Sequence, residues 1–304
     1  MEETIQKTTK MRLLIITQKV NKNDPILGFF HRWIEEFAKR FEKLTVICLE
    51  KGEYSLPENV RVLSLGKEEG RSKAEYLSRF YRYIWEERNN YDAVFVHMNQ
   101  EYVLLGWKFW KLWGKRIYLW RNHAKGDFWT RLAVLFSDKV FYTSPSSYTA
   151  KFRKSVQMPV GIDTDFFKPD SNITRMPGTY LFLGRISPIK KVLEFIDWVK
   201  ENQYKATIAG PILAEDREYG EQVKRNLTDK IKFLGPVNQE EALQLYQSHE
   251  TYVNMTPAGS MDKTIFEAAA SGMKLEVRNP DAKDFRVEDH SLKLLMEKLK
   301  LALI

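Results

Sequence analysis

The chain has 304 residues, 43% apolar and 29% charged, with a formal net charge of +8. This length and apolar content suffice for two globular domains, and the lack of any run of 18 apolar residues excludes a spanning helix. Cys48 is the single cysteine, which excludes a disulfide framework and a cysteine-rich metal site.

The opening "MEETIQKTTK" lacks the apolar core of a secretion signal, so residues 1–10 read as a flexible tail and a cytoplasmic protein fits. Short β-rich runs follow at "RLLIIT" (12–17), "LTVICL" (44–49), "VRVLSL" (60–65), "AVFVH" (93–97), "RIYLW" (116–120) and "KVFYT" (139–143). Helical patterns lie between them, such as "GFFHRWIEEFAKRF" and "KAEYLSRFYRYIWEER". After Pro169 the alternation restarts with "TYLFLG" (179–184), "ATIAG" (206–210), "IKFLG" (231–235), "TYVNM" (251–255) and "KLEV" (274–277). Strands alternating with helices predict parallel sheets covered on both faces. Two such runs predict two doubly wound, Rossmann-like α/β domains, residues 11–165 and 166–304, with ligands at the carboxyl ends of strands and a cleft between the domains.

Charge separates the halves. Residues 1–168 hold 29 Lys and Arg against 20 Asp and Glu, whereas residues 169–304 hold 19 against 20. The basic half is suited to a phospholipid surface, a phosphorylated acceptor or nucleic acid, and equally to plain solubility.

Two stretches carry the chemistry. In "LFLGRISPIKK" a strand ends at Gly184-Arg185, and Lys190 follows at a helix start. A guanidinium and an ammonium on one such loop can converge on a diphosphate, with the helix dipole adding to them; solvated surface cations are the plain alternative. In "PAGSMDKTIFEAAASG" (257–272) small residues run into a helix that Asp262 or Thr264 could cap. Gly259 and Ser260 allow backbone N–H groups to approach an anion, and Glu267 could accept from a ribose diol. Thr264-x-x-Glu267 also fits a capping box.

These stretches, in their order and spacing, make the chain resemble the GT-B glycosyltransferases of the large retaining family four. "VGIDTDFFKP" resembles that family's domain junction, "YLFLGRISPIKK" its Gly-Arg-x4-Lys motif, "TIAG" and "IKFLGPV" the strand ends flanking the base, and "GSMDKTIFEAAASG" its Glu-x7-Glu helix. "MRLLIITQKVNKNDPILGFFHRW" and "LWRNH" resemble its N-terminal domain, and "EDHSLKLLMEKL" its C-terminal helix. The resemblance implies a GT-B fold and transfer, with retention, of a hexosyl group from a UDP- or GDP-sugar. It puts Arg185 and Lys190 on the donor diphosphate, Glu267 on the ribose, and His123 near the donor sugar. Gly28 falls near the phosphate-approaching glycine of the first strand–helix loop, and Pro236 and Val237 fall where main chain reads the base.

The chain departs from the pattern where the first acid of Glu-x7-Glu should stand, because Gly259 is there. Asp262 or Lys263, with the N–H groups of Ser260, Met261, Asp262, Lys263 and Thr264, is the expected replacement, and Lys263 could instead strengthen the diphosphate grip. Lys191 stands where a glycine commonly follows the lysine. "DTD" (163–165) mimics a metal motif but lies in the junction, so no metal is expected; cations and a helix start suffice for a leaving diphosphate. His97, at a strand end, and Asn99 are candidates for acceptor or sugar contact, although an isolated histidine such as His31 or His97 more often packs or hydrogen-bonds.

In "LLGWKFWKLWGKR" (104–116) Trp107, Trp110 and Trp113 recur every three residues among Lys108, Lys111, Lys115 and Arg116. Tyr102, Leu105, Phe109 and Leu112 form the face expected to pack on the sheet, and the basic aromatic remainder suits an interfacial surface or a core helix. The partners expected are a nucleotide-sugar donor, an acceptor glycan or lipid-linked acceptor, and a membrane face met peripherally by the basic domain. No nucleic-acid motif accompanies the charge. The rival functions are a nucleotide-sugar-binding pseudoenzyme or scaffold that lost turnover with the first acid, and a GT-B-like epimerase or phosphorylase.

Overall fold

The structure is a computed structural model that describes residues 9–304. Residues 1–8 of the expected tail lie outside the described residues, and Thr9 and Lys10 already belong to the first strand. Two compact units divide the chain. The first holds the described residues up to Lys22, with Leu27–Met158 and Met296–Ile304; the second holds Asn23–Ile26 and Pro159–Leu295.

The division at Met158 precedes the expected boundary at 165/166. Val160, Ile162 and Phe167 bury their side chains in the second unit's core, which draws the junction into that unit. The last residues, expected in the C-terminal domain, cluster with the first unit. There the Tyr118 hydroxyl donates to the Leu303 carbonyl at 2.9 Å and Lys139 Nζ to the Ala302 carbonyl at 2.8 Å.

The first unit is a parallel seven-stranded sheet. Its strands are β1 (Thr9–Val20), β2 (Phe41–Lys51), β3 (Val60–Ser64), β4 (Ala93–His97), β5 (Arg116–Trp120), β6 (Lys139–Tyr142) and β7 (Ser155–Gln157), in the order β3-β2-β1-β4-β5-β6-β7. Four helices accompany it: α1 (Gly28–Ala38), α2 (Lys73–Glu86), α3 (Glu101–Leu112) and α4 (Phe128–Phe136). In α1, Phe30, Trp33, Ile34 and Phe37 recur at helical spacing and are buried. The predicted helix ran on to Phe41, but that side chain is fully buried at the start of β2, so the helix stops at Ala38. Ser72 and Glu75 close a capping box at the start of α2.

The face of α3 is not the expected one. Tyr102, Val103, Gly106 and Trp110 are its buried residues, whereas Leu112 is 81% exposed and Phe109 37%. Gly106 makes room for Trp110, whose ring atoms would lie 2.4 Å from any added Cβ. Trp107 stacks on Phe136 at 3.9 Å between centroids, which ties α3 to α4.

The second unit is a parallel five-stranded sheet: β8 (Met176–Leu183), β9 (Lys205–Ala209), β10 (Ile231–Gly235), β11 (His249–Asn254) and β12 (Lys274–Val277), in the order β10-β9-β8-β11-β12. Its helices are α5 (Val192–Glu201), α6 (Arg217–Arg225), α7 (Gln239–Ser248) and α8 (Lys263–Ala270); α9 (Leu292–Leu303) begins in this unit and ends in the first. The core has two parts. Phe182, Phe195, Ile208 and Val253 pack with α5 and α6, and Leu181, Tyr246, Tyr252 and Phe266 with α7 and α8. In each sheet the strand order reverses once, between β1 and β4 and between β8 and β11. Such reversals open a crevice at the carboxyl ends of the flanking strands, where open α/β sheets bind ligands.

Candidate functional site

The second unit's reversal holds a cavity of about 300 Å³. Gly184, Arg185, Lys190, Gly210, Val237 and Asp262 are among the residues lining it. Gly210 has φ +145°, and a Cβ there would lie 1.9 Å from the Gly184 carbonyl oxygen, so only glycine lets the ends of β8 and β9 approach this closely. Lys190 sits in a short turn before α5. Lys191, at the expected glycine position, takes φ +55°, the left-handed conformation that glycine adopts without strain.

The two cations are held differently. The Arg185 guanidinium is loosely paired, with Nη1 3.8 Å from Glu215 Oε1 and Nε 3.7 Å from Asp216 Oδ2. Lys190 Nζ donates to Asp262 Oδ1 at 2.6 Å. Asp262 has no oxygen to spare: Oδ1 also accepts from Ser260 Oγ at 3.3 Å, and Oδ2 accepts from Thr256 Oγ1 at 2.7 Å and Asn254 Nδ2 at 3.1 Å. Burial alone would raise the Asp262 carboxyl; the Lys190 ammonium and the hydroxyl and amide donors outweigh it and hold it below the ordinary carboxylate range. The carboxylate expected at the donor sugar is thus engaged by four donors of the protein itself.

Asp262 is the N-cap residue of α8 by position, yet its side chain caps nothing. Thr264 lies inside the helix with its hydroxyl accepting from Tyr252 at 2.7 Å, so the Thr264–Glu267 capping box does not form. Lys263, the other expected replacement, also lines the cavity. Its Nζ donates to the carbonyls of Val160 at 2.6 Å and Gly161 at 2.9 Å, and withdrawal from water lowers its pKa to about 7, with the Glu267 carboxylate opposing the shift. Glu267 is buried and accepts from the Tyr246 hydroxyl at 3.0 Å; it is not on the cavity wall.

Gly259 has φ +107°, and its N–H donates to Asp281 Oδ2 at 2.7 Å. The fully buried Asn279 donates from Nδ2 to the Ser260 carbonyl at 2.6 Å. The loop before α8 is thus braced from beyond β12, and Met261 turns into the core. Pro236 is exposed, while Val237 reaches the cavity.

The remaining candidates belong to the first unit. His97 is buried at the reversal beside β1, stacked on Phe30 at 4.0 Å, with Nδ1 3.3 Å from Thr17 Oγ1. His31 Nε2 accepts from the Ser55 N–H at 3.1 Å. His123 is exposed beyond β5, where its Nδ1 accepts from the Lys125 N–H at 3.0 Å; Asn99 is half-buried beyond β4. Gly28 opens α1 against the Lys22 carbonyl, 3.0 Å from where a Cβ would lie. Asp163 Oδ1 accepts from the N–H groups of Asp165 and Phe166, and among the described residues no group of three His, Cys, Asp or Glu could hold a metal ion. Asn254, Thr256, Asn279 and Asp281 escaped the sequence reading. Asn254 and Thr256, two polar residues at a strand's carboxyl end, were the available signal.

No family model matches the sequence, and neither does any curated protein. Solved structures match in fold. Anabaena HepE, crystallised with UDP and glucose, is 14% identical at a TM-score of 0.68, covering 96% of this chain and 95% of its own. Sucrose-phosphate synthase from Thermosynechococcus elongatus is 12% identical at 0.68, over 96% and 94%. A UDP-GlcNAc 2-epimerase from Methanocaldococcus jannaschii is 12% identical at 0.56, over 96% and 99%. With its two Rossmann-like parallel sheets, the chain has the GT-B fold.

Proposed function

We propose that the protein is a glycosyltransferase that moves a hexosyl group from a UDP- or GDP-sugar to a hydroxyl acceptor, with retention. The observation that carries the reading is the cavity at the β8/β11 reversal, where Arg185 and Lys190 stand beside the uncapped start of α8. Charge developing on a departing diphosphate would be met there by the Arg185 and Lys190 cations and by helix N–H groups. This chemistry is positioning and leaving-group stabilisation, and it calls for no metal cofactor. Val237 would border the base.

The test is release of nucleotide diphosphate from a panel of UDP- and GDP-sugars. Arg185→Ala should weaken UDP or GDP binding by about 1.5–3 kcal/mol, the range for hydrogen bonds to charged groups, and leave nucleoside binding unchanged. A variant that binds the diphosphate as wild type does would refute the site. The similarity to a 2-epimerase supports a second reading, an epimerase on the same scaffold. Isomerisation of a nucleotide sugar without any acceptor would select it.

The acceptor proposed is glycan or lipid-linked, met at an anionic membrane face. Supporting this, the basic half of the chain exposes Leu112 on α3 and Phe128, Trp129 and Leu135 on α4. Arg131, Phe152 and Arg153 line a depression next to Leu135. Apolar side chains among cations suit a headgroup layer.

A further inference from the structure

We propose that Asp262 is a positioning residue, whose carboxylate fixes the Lys190 ammonium at the cavity wall with its remaining N–H groups free for phosphate oxygens. The inference rests on the nucleotide-diphosphate reading of that cavity. An ammonium has three N–H donors, and the Asp262 bond uses one. A lysine on a flexible four-carbon stem is otherwise a poorly directed charge. The carboxylate itself is immobile. It is a side chain 9% exposed, with Asn254, Thr256 and Ser260 filling its other acceptor positions.

That immobility decides between two roles. A mobile carboxylate would swing away when phosphate arrived, acting as a competing anion, and its removal would tighten binding. A locked one stays, trades some long-range attraction for a preset direction, and its removal weakens binding. Four donors converging on one buried carboxylate, three of them neutral, describe the locked case. Helix capping, the ordinary use of an aspartate here, is given up for this purpose.

The test is a double-mutant cycle on UDP and GDP affinity by calorimetry, with uridine and guanosine as controls. Asp262→Asn should weaken diphosphate binding about tenfold and leave nucleoside binding alone, and the loss should vanish in a Lys190→Met background. Thr256→Val, which removes one brace from the carboxylate, should act in the same direction and depend on Lys190 in the same way. The Lys190 ammonium should also give a slowly exchanging ¹H–¹⁵N signal in the free protein that Asp262→Asn abolishes. Tighter binding by Asp262→Asn would overturn the proposal in favour of a competing anion. A loss that persists undiminished without Lys190 would overturn it in favour of general scaffolding. Wild type binding neither nucleotide would instead refute the nucleotide-diphosphate reading, whatever the variants do.

Discussion

Lys263 gives the structure a sharp test in solution. Its ammonium is withdrawn from water against two carbonyls, and its pKa falls from 10.5 to about 7. A neutral amine still has two hydrogens for the Val160 and Gly161 oxygens, so the arrangement survives deprotonation. The sign follows from linkage. Between pH 7 and 10.5 the unfolded chain binds a proton that the folded chain has released, so stability rises with pH by up to about 1.4 kcal/mol per unit; below 7 both states hold the proton and the full penalty stands. From pH 6 to 9 this slope acts over roughly two units, a ceiling of about 2.7 kcal/mol. Part of the side chain meets solvent, so we expect about 1–2 kcal/mol. Lys263→Met removes the titration. It also removes the ammonium donor from two carbonyls, but that cost is the same at both pH values and cancels. Urea unfolding of both proteins at pH 6 and 9 should show the variant faring better, relative to wild type, at pH 6 by that amount. An equal difference at the two pH values would refute a buried, depressed Lys263.

Gly259→Glu, which recreates the first acid of the family pattern, should lower stability by about 1–3 kcal/mol and leave turnover no higher, because the position has φ +107° and the new carboxylate would face Asp281; melting and nucleotide release measure both, and higher turnover would show that the loop accepts an acid. The 304-residue chain should co-sediment with phosphatidylglycerol vesicles at low salt, and Trp129→Ser with Leu135→Ser should reduce the bound fraction severalfold. Wild type that stays in the supernatant would remove the membrane contact.

Periodicity made both sheets legible. Short apolar runs such as "RLLIIT" and "AVFVH", alternating with helical patterns, point to a parallel sheet covered on both faces, and both were found in one. Ser155–Gln157 was not legible, since three residues at a sheet edge carry no apolar run. The cations of the cavity were readable from Gly184-Arg185 and Lys190, because a strand end followed by a helix start fixes where such residues go. The buried face of α3 was not readable. Tryptophan and leucine are equally apolar on a helical wheel, and what chose Trp110 over Leu112 was the space that Gly106 leaves for a ring.

The missing acid shows why pattern and geometry part company at this site. A residue-by-residue match asks which side chain replaces the first glutamate, and Asp262 and Lys263 are the nearest charged answers. The backbone poses a different question. Gly259 takes a left-handed conformation, so the loop follows a path that a glutamate there could adopt only under strain, and Asp281 occupies its N–H from another segment. On this path Asp262 turns to Lys190 and Lys263 to the junction carbonyls. Lys191 shows the converse. There a lysine takes the left-handed backbone, φ +55°, at a cost of about 1 kcal/mol. The loop bearing Lys190 thus holds a lysine in a strained left-handed conformation, while the loop before α8 carries a glycine at its left-handed position, and it is across these two loops that the Lys190–Asp262 pair forms.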